Sequence, residues 1–360
     1  MVEWKTLGDI VKRNKGIPIT AAQMNELNSM DGNVRVFAAG QTKADIKENL
    51  LPKGCVIKKP SIIIKSRGYI DFEFYDRPFT HKNEMWSYSF DDINLCKFIF
   101  YFLSTKTDEF RRKAKANSVK LPQLCVADTD HYNIPIPPLS EQNSIVGILD
   151  TFTESIENLK KQITERKKQY EHYRDQLLDL EGKPGVEMKT LGEVCEVITG
   201  GEVPENTIKG QQEPSNSHPF AVYTNGKETY GYTDTYQIDS DAVCISSIGA
   251  NTGAVFYKKG KFTPAIRLKV LIPYQNVDTK FLYYSAMGID FKGRNTGSVP
   301  NINANYVKSR TIILLPLAEQ QRIVSILDTF EASIANLEQQ LSLRQKQYEY
   351  YRNMLLTFDE

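Results

Sequence analysis

The chain has 360 residues and a formal net charge of only +1. This length exceeds that of a typical single domain, which favours two or more separately cored domains. The near-neutral charge argues against a protein that holds a polyanion by bulk charge alone, so any nucleic-acid site must be local. The longest apolar runs, 62–64 and 98–103, are far too short to span a bilayer. We therefore expect a soluble, unsecreted, cytoplasmic protein without a membrane partner.

Four elements follow one another along the chain. The sequence predicts a globular domain at 1–137, a long helix at 138–182, a second globular domain at 186–315 and a second long helix at 316–360. In the globular parts, 61–68 and 242–249 share a pattern in which a β-branched strand runs into a glycine turn. We expect two mixed α/β (α+β) domains.

Each long helix carries a heptad seam of apolar residues at alternating spacings of four and three. The seam of the first helix contains Ile145, Leu149, Phe152, Ile156, Leu159 and Ile163, and that of the second contains Ile323, Leu327, Phe330, Ile334, Leu337 and Leu341. Arg166 and Arg344 interrupt the two seams at the same place, where they fix register, meet a partner or snorkel from the seam edge. Ser140 is the predicted cap of the first helix, and Gly182 with Pro184 is predicted to end it.

Two such helices in one chain can bury each other's apolar stripes. The second globular domain begins a few residues after the first helix ends and precedes its own helix, so the helices should pack antiparallel. This predicts a two-helix coiled coil of roughly 60 Å, with a globular domain at each end and a pseudo-twofold axis through its middle. The alternatives are that each seam packs against its own domain or against a second chain.

An internal repeat covers the whole chain. Between 138–180 and 316–358, 25 of 43 residue pairs are identical. Pro-Leu-Ser-Glu-Gln at 138–142 returns as Pro-Leu-Ala-Glu-Gln at 316–320, and Lys-Thr-Leu-Gly at 5–8 returns at 189–192. Between these anchors the halves diverge. A retained frame with different loops is the expected result.

Several catalytic and metal-binding signatures can be tested directly against the sequence. It contains no phosphate-binding loop, dinucleotide-binding glycine motif, amino-methyltransferase motif or zinc-type Cys and His spacing. Its five cysteines are odd in number and show no paired spacing, as expected for reduced thiols. Asp71 and Glu73 with Lys65 could suggest a nuclease cluster, but the alternation at 71–74 is more typical of a strand with one wet face. We predict no enzyme, no metal site and no cofactor on this chain.

With no catalytic motif found, we interpret the globular domains as carrying a local binding surface. The first globular domain holds 21 Lys and Arg against 16 Asp and Glu, and the second holds 13 against 12, so neither should grip phosphate strongly alone. Basic clusters containing Asn and Ser precede Pro122 and Pro300, and such residues suit phosphates and base edges. The candidate DNA-binding residues of the first domain are Lys65, Arg67, Arg111, Arg112, Lys113, Lys115, Asn117 and Ser118. Those of the second domain are Asn225, Lys227, Ser246, Ser247, Asn251, Arg294, Asn295, Thr296, Ser298 and Asn301.

These features together resemble the specificity (S) subunits of Type I restriction-modification enzymes. The resemblance rests on Pro-Leu-x-Glu-Gln, the following Ile-Val-x-Ile-Leu-Asp, the heptad helix and the repeat opened by Lys-Thr-Leu-Gly, and it covers essentially the entire chain. It implies that each globular domain is a target recognition domain reading one half of an asymmetric, bipartite DNA site, with the coiled coil setting the unread spacer. The first half departs from the Gly-Ser-x-Pro form of 297–300 and shows Asn-Ser-Val-Lys-Leu-Pro at 117–122.

The resemblance also implies partners. Two modification (methyltransferase) subunits carrying S-adenosylmethionine would dock on the helices, and restriction (helicase-nuclease) subunits would supply chemistry that uses ATP and Mg. The chain itself would be a non-catalytic targeting subunit that binds double-stranded DNA. A coiled-coil protein-interaction scaffold with two ligand-binding heads is the alternative, and an unrecognised nuclease is the third reading.

Overall fold

A computed structural model describes residues 2–117, 120–182, 185–292 and 302–358. The chain divides into two compact units: unit 1 is Met1–Lys161 with Gln339–Glu360, and unit 2 is Gln162–Glu338. Each unit therefore combines one globular part with segments of both long helices. In the part of the chain that the structure describes, no helix is long and apolar enough to cross a membrane.

Unit 1 begins with strands and ends its globular part with the first long helix. Its strands are β1 (Glu3–Thr6), β2 (Arg13–Lys15), β3 (Val34–Phe37), β4 (Lys43–Ile46), β5 (Ser61–Lys65), β6 (Asp71–Tyr75), β7 (Phe79–His81), β8 (Trp86–Ser89) and β9 (Asn133–Ile136). Its helices are α1 (Leu7–Ile10), α2 (Ala21–Leu27), α3 (Ile93–Thr105), α4 (Thr107–Asn117), α5 (Val126–Asp130) and the start of α6 (Leu139–Leu178), with a 3-10 turn at Glu48–Leu50.

Unit 2 repeats this order with small changes. Its strands are β10 (Glu187–Thr190), β11 (Cys195–Thr199), β12 (Ile208–Lys209), β13 (Phe220–Tyr223), β14 (Thr229–Thr233), β15 (Ala242–Ile245), β16 (Val255–Lys258), β17 (Phe262–Pro264), β18 (Lys269–Pro273) and β19 (Thr311–Leu314). Its helices are α7 (Leu191–Val194), α8 (Thr279–Met287), α9 (Ala304–Lys308) and the first part of α10 (Leu317–Leu355).

The two globular parts share one sheet plan. An antiparallel sheet in the order β2-β8-β5-β6 in unit 1 corresponds to β11-β18-β15-β16 in unit 2. A second sheet, β4-β3-β7, corresponds to β14-β13-β17, and in both the last pair of strands is parallel. The predicted fold class, two copies of a mixed α/β domain, is confirmed. The strand prediction at 71–74 is also confirmed, since β6 pairs with β5 throughout.

An apolar core lies between the first sheet and a helix in each unit. Buried side chains of β5, β8 and α3 form the core of unit 1, and those of β15, β18 and α8 form the core of unit 2. Asp92 caps α3 and Asp278 caps α8, each accepting hydrogen bonds from two backbone amides of the first turn. The sequence-equivalent helices thus start at equivalent caps.

The long helices pack antiparallel, as predicted. In unit 1 the ring of Phe152 on α6 stacks on Tyr351 of α10, with centroids 5.3 Å apart. In unit 2 the ring of Phe330 on α10 stacks on Tyr173 of α6 at 5.4 Å. Residue numbers rise on one helix as they fall on the other, which fixes the antiparallel sense.

The two arginines that interrupt the seams complete these aromatic layers. The guanidinium of Arg166 lies 5.8 Å from the ring centroid of Phe330, and that of Arg344 lies 5.6 Å from that of Phe152. A cation over an aromatic face is attracted by the ring quadrupole. Each arginine therefore contacts an aromatic ring on the opposite helix, which favours the register role among the three readings.

The seams do not pack on the opposite helix along their whole length. All twelve predicted seam residues are buried or half-buried. Ile145 and Leu149 belong to the core of the globular part of unit 1, and Ile323 and Leu327 belong to that of unit 2. In the first turns of each helix the seam therefore packs against the helix's own globular domain, which was one of the alternatives to a coiled-coil contact.

The ends of the first long helix differ from the prediction. The helix α6 begins at Leu139, so Ser140 lies inside the first turn and is not the cap. It ends at Leu178, four residues before Gly182, which adopts a positive φ of 72° in the following turn. The predicted helix end at Pro184 lies outside the described residues. The cysteines are free thiols: Cys96, Cys195 and Cys244 are buried, Cys55 is half-buried and Cys125 is exposed.

A carboxylate joins the long helix to the globular part in unit 1. Asp150, on the fourth turn of α6, accepts a hydrogen bond from the Tyr101 hydroxyl at 2.6 Å and pairs with the Lys97 ammonium at 2.6 Å. Both donors lie on α3. Burial, together with the nearby charge of Asp150, raises the pKa of Tyr101 above its usual value, so the hydroxyl stays protonated and donating.

The same contact recurs in unit 2. Asp328 of α10 accepts from the Tyr284 hydroxyl at 2.9 Å and pairs with Lys280 at 2.6 Å, both on α8. We call each of these Asp, Tyr and Lys groups the latch. The latch explains why Ile-Leu-Asp is retained in both copies of the repeat: the apolar residues fill the core and the carboxylate fixes the docking angle of the helix.

Replacing Tyr284 with Phe should lower the free energy of unfolding by about 2 kcal/mol, because the charged acceptor Asp328 loses a hydrogen bond in a half-buried place. Urea denaturation followed by circular dichroism measures the change. Tyr283→Phe is the matched control, since unit 1 already carries Phe100 at the corresponding position; it should change the free energy by less than about 0.5 kcal/mol. Equal effects of the two variants would contradict the latch.

Candidate nucleic-acid interface

Three chain segments meet at the edge of each globular part, held by one buried serine. In unit 1, Ser66 follows β5 directly, and its hydroxyl donates to the carbonyl of Glu84 at 2.5 Å. The Ser66 carbonyl accepts from the Leu124 amide at 2.8 Å. We call the joined segments 66–70, 82–85 and 120–125 the rim of unit 1.

Unit 2 builds the corresponding rim in the same way. The Ser247 hydroxyl donates to the carbonyl of Arg267 at 2.6 Å, and the Ser247 carbonyl accepts from the Ile302 amide at 2.9 Å. The rim of unit 2 comprises 246–253, 265–268 and Ile302. Glycines with positive φ, Gly68 in unit 1 and Gly249 in unit 2, turn the chain after each serine.

Asn225 organises the rim of unit 2. Its side-chain oxygen accepts from the Ser247 amide at 2.8 Å, and its side-chain amide donates to the Ile266 carbonyl. Its backbone carbonyl accepts from the Asn251 side chain at 3.3 Å. Three residues predicted separately from the sequence therefore lie together. Asn225 is committed to these bonds and acts by positioning the rim.

Burial separates the serine candidates from the exposed ones. Ser246 and Ser247 have no exposed surface, so their hydroxyls support the rim and are closed to a ligand in this structure. Asn251 and Lys227 are exposed. The Lys227 carbonyl accepts from the buried Lys258 ammonium at 2.5 Å, and burial lowers the pKa of Lys258.

Lys65, a candidate DNA-binding residue, is buried and does not point to solvent in this structure. Its ammonium is buried and pairs with Glu73 at 2.7 Å, and Lys43 pairs with the same carboxylate at 2.6 Å. Burial acts to raise the pKa of Glu73, but the hydrogen bonds from Lys43 and Lys65 outweigh it and hold the pKa below the usual 4.5. Lys65 is a structural cation inside the sheet.

Arg67 is exposed at the start of the rim of unit 1. Its backbone forms an isolated antiparallel bridge with Gln123, and the Gly68 amide donates to the Pro122 carbonyl at 2.9 Å. The end of β5 and the Pro122 segment, which the sequence analysis named separately, are therefore joined in the fold. Arg67 projects from the point where those two segments join.

The helix α4 carries the basic cluster, and its cations divide into two groups. Arg111 donates to the Ile70 carbonyl at 3.2 Å and lies 5.5 Å from the Tyr69 ring, so it braces the rim. Lys113 pairs with Glu109 at 3.2 Å. Asn117 is likewise engaged, donating to Asp128 at 2.9 Å.

Arg112 and Lys115 form the second group on α4. Both are exposed and, among the described residues, make no hydrogen bond or ion pair. Three residues apart on a helix, they lie on one face. They are the cations of this cluster that remain available to a ligand.

Ser118 of the first domain lies outside the described residues, as do Arg294, Asn295, Thr296, Ser298 and Asn301 of the second. Within the described ranges, no group of three or more His, Cys, Asp and Glu side chains is arranged to hold a metal ion.

Arg267 is an exposed cation of the rim of unit 2 that was not among the residues predicted from the sequence. It follows Ile266 in the turn between β17 and β18, and both residues adopt positive φ, 51° for Ile266 and 61° for Arg267. Neither is glycine or asparagine, so the sequence gives no turn signal here. Only the tertiary hydrogen bonds reveal that this turn belongs to the rim.

Comparison with known proteins shows which family of proteins this chain belongs to. Residues 1–166 and 184–344 match the family described as the Type I restriction modification DNA specificity domain. A Type I restriction enzyme specificity subunit of Escherichia coli is 30% identical over 395 residues, covering 99% of this chain and 94% of the relative. The chain belongs to this family of specificity subunits, and the resemblance predicted from the sequence is confirmed.

Solved structures agree on the fold. The crystal structure of the Type I restriction-modification S subunit from M. genitalium matches with a TM-score of 0.73 at 17% identity, covering all of this chain and 97% of that one. A structure described as the basis of complex assembly and conformational transition of the Type I system matches with a TM-score of 0.55 at 17% identity, over 99% of this chain and 96% of that one.

Replacing Glu73 with Gln tests the structural role of Lys65. Because the pKa of Glu73 is lower in the folded protein than in the unfolded chain, its ion pairs stabilise the fold above about pH 4.5 and this stabilisation is lost as the pH falls through the folded value. We expect the variant to lose about 2 kcal/mol at pH 7, because it weakens hydrogen bonds to a charged group, and the difference from wild type to shrink towards pH 3.

Unfolding free energies from urea titrations at several pH values provide this measurement. The control is Glu187→Gln, which removes an exposed ion pair with Lys189 and should change stability by less than about 0.5 kcal/mol. A pH-independent effect of Glu73→Gln would show that the carboxylate charge is not responsible.

Proposed function

We propose that this chain is the non-catalytic subunit that gives a Type I restriction-modification complex its DNA sequence specificity. Each globular part, assigned to 1–137 and 186–315, reads one half of an asymmetric, bipartite site on double-stranded DNA. The helices at 138–182 and 316–360 set the unread spacer between the halves. The role places the protein in the cytoplasm, with the DNA.

One observation carries this proposal: the two rims share a frame and differ in the residues that the frame presents. Ser66 and Ser247 make the same two hydrogen bonds in their units. At the next position, unit 1 presents Arg67 and unit 2 presents Ile248. Two readers with one scaffold and different contact residues are what an asymmetric bipartite site requires.

The exposed polar residues of each rim supply the contacts. In the first domain these are Arg67, with Arg112 and Lys115 on the neighbouring helix. In the second they include Asn251, with Lys227 exposed on the loop next to it. Cations position the protein on phosphates, whereas Asn and Arg pair with base edges in the major groove. The six candidates outside the described residues complete this assignment as proposals.

Repeated apolar exposure on the long helices supports the docking of two identical modification subunits. Leu139 and Leu317, which are equivalent in the repeat, are 59% and 39% exposed. Tyr173 and Tyr351 are also equivalent, at 44% and 39% exposed. Large apolar side chains left in solvent at the same place twice mark a surface for a partner that binds twice.

The chemistry belongs to those partners. The modification subunits carry S-adenosylmethionine, and restriction subunits, where they join, use ATP and Mg. This chain contributes recognition and assembly. The near-neutral charge of the chain fits such an arrangement, because partner subunits can supply much of the phosphate contact.

Reconstitution with the modification subunits tests the proposal. A randomised DNA library methylated by the complex should yield one two-part motif with a fixed spacer, and no motif when this chain is omitted. Exchanging 186–315 for the second globular part of another S subunit should change one half of the motif and leave the other unchanged. Methylation without sequence preference would favour a scaffold role, and a change in both halves would contradict the division between the domains.

Shortening the coiled coil tests its role as the spacer. Deleting one heptad from each helix, 159–165 and 337–343, retains the Phe152 with Tyr351 layer and the Phe330 with Tyr173 layer together with Arg166 and Arg344. It shortens each helix by about 10 Å. The same library should then report unchanged half-sites separated by a spacer shorter by about three base pairs, at roughly 3.4 Å each. A changed half-site with an unchanged spacer would refute the assignment.

A further inference from the structure

The turn between β17 and β18 combines backbone strain with an exposed arginine. Ile266 and Arg267 have φ values of 51° and 61°, and they are the only non-glycine residues with positive φ in the described ranges. Positive φ is costly for residues with a Cβ atom and is a clear outlier for a β-branched side chain. Two such residues in succession require a compensating set of contacts.

Hydrogen bonds from three other segments hold the strained turn. The Ile266 amide donates to the Gly201 carbonyl at 2.7 Å, and the Arg267 amide donates to the Gly200 carbonyl at 3.1 Å. The Arg267 carbonyl accepts from the Ser247 hydroxyl at 2.6 Å and from the Lys269 ammonium at 3.1 Å. Every backbone polar group of Arg267 is thereby fixed.

The remaining contacts close the turn from the other side. Asn225 donates to the Ile266 carbonyl. A Cβ atom at Gly200 would lie 2.7 Å from the Pro264 carbonyl carbon, so a glycine is needed for the close approach of the segment that accepts both amides. The surrounding structure imposes the conformation of the turn, which is the condition under which strain persists at functional sites.

These backbone contacts leave the side chain of Arg267 without a partner among the described residues. Arg267 is exposed, and its guanidinium makes no hydrogen bond or ion pair with any described residue. Its backbone is rigid while its fork of donors faces solvent. A fixed backbone under an unpaired guanidinium is suited to recognition of one planar acceptor pair.

The equivalent turn of unit 1 presents the opposite charge. The Ser66 hydroxyl donates to the Glu84 carbonyl as Ser247 does to that of Arg267. The amide of Asn83 donates to the Ile17 carbonyl at 3.1 Å, as that of Ile266 does to Gly201. Glu84 therefore stands in the place of Arg267, and it pairs with Lys82 at 3.1 Å.

We propose that Arg267 is a specificity-determining residue that reads a guanine in the half-site of the second globular part. The inference rests on the proposed function and deepens it. Arginine pairs in a bidentate manner with the N7 and O6 acceptors that guanine shows in the major groove. A phosphate contact would not need a strained, multiply anchored turn, because it tolerates a flexible cation.

The test uses the complex of the full chain with its modification subunits and a randomised DNA library. With Arg267→Ala, discrimination for guanine at one position of the second half-site should fall about 10- to 100-fold, and the first half-site should be unchanged. Lys259→Ala, which removes an exposed cation in the same unit, should leave the preference at every position intact. Melting temperatures of the variants establish that the fold is retained.

Two further variants separate charge from geometry. Arg267→Lys keeps the charge without the planar fork, and should lose most of the guanine preference. Ile266→Gly keeps the arginine and relaxes the strained backbone, so the preference should persist but weaken several-fold, with an unchanged or higher melting temperature.

The outcomes distinguish this inference from the proposed function. If the wild-type complex methylates without sequence preference, the proposed function fails. If the wild type reads a two-part motif that Arg267→Ala leaves unchanged, the inference fails and the proposed function stands. Uniform weakening at all sequences, or full activity of Arg267→Lys at guanine, would make Arg267 a phosphate contact and overturn base reading.

Discussion

The structure depends on a carboxylate that ties the long helix to the globular part in each unit. Asp150 and Asp328 each accept from a tyrosine hydroxyl and a lysine ammonium on a helix of the globular part. Those helices, α3 and α8, pack on the central strands β5 and β15. The strands run directly into the rim serines. A short chain of rigid contacts therefore connects the coiled coil to the rim, so that the long helix sets the orientation of the rim within its own unit.

The same serine hydrogen bonds hold both rims, although the residues of the two rims differ. They can do so because they do not depend on the neighbouring side chains. The serine anchors involve a hydroxyl and backbone carbonyls, so the side chain of the residue that supplies the carbonyl is free to vary. Unit 1 places Glu84 there and unit 2 places Arg267. The serine bonds to the backbone carbonyl, so the hydrogen bond forms with either side chain at that position. The residues that each rim presents can therefore differ while the fold that anchors them is retained.

The sequence alone did not show which basic residues are exposed and which are already paired within the fold. Lys65 looks like an exposed cation at a strand end, yet it is buried against Glu73. Arg111 belongs to the basic cluster of α4, yet it braces the backbone at Ile70. The distinction depends on which carboxylate or carbonyl lies across the sheet or helix, and those partners are eight and 41 residues away in sequence. Arg112 and Lys115, by contrast, were named as candidates from the sequence and are exposed in the structure.

The sequence alone determined the repeat, the two long helices, their antiparallel sense and the mixed α/β class. Heptad spacing, internal identity and short connections can all be seen in the order of the residues, without knowledge of contacts between distant segments. The tertiary structure alone decided where the first seam residues pack, which cations are neutralised and how the rim is built. Asn225 reaches Ile266 across 41 positions, and Ser247 reaches Arg267 across 20. The positive φ of Ile266 and Arg267 opposes their local preference and is stabilised only by these distant partners. No local pattern could predict it.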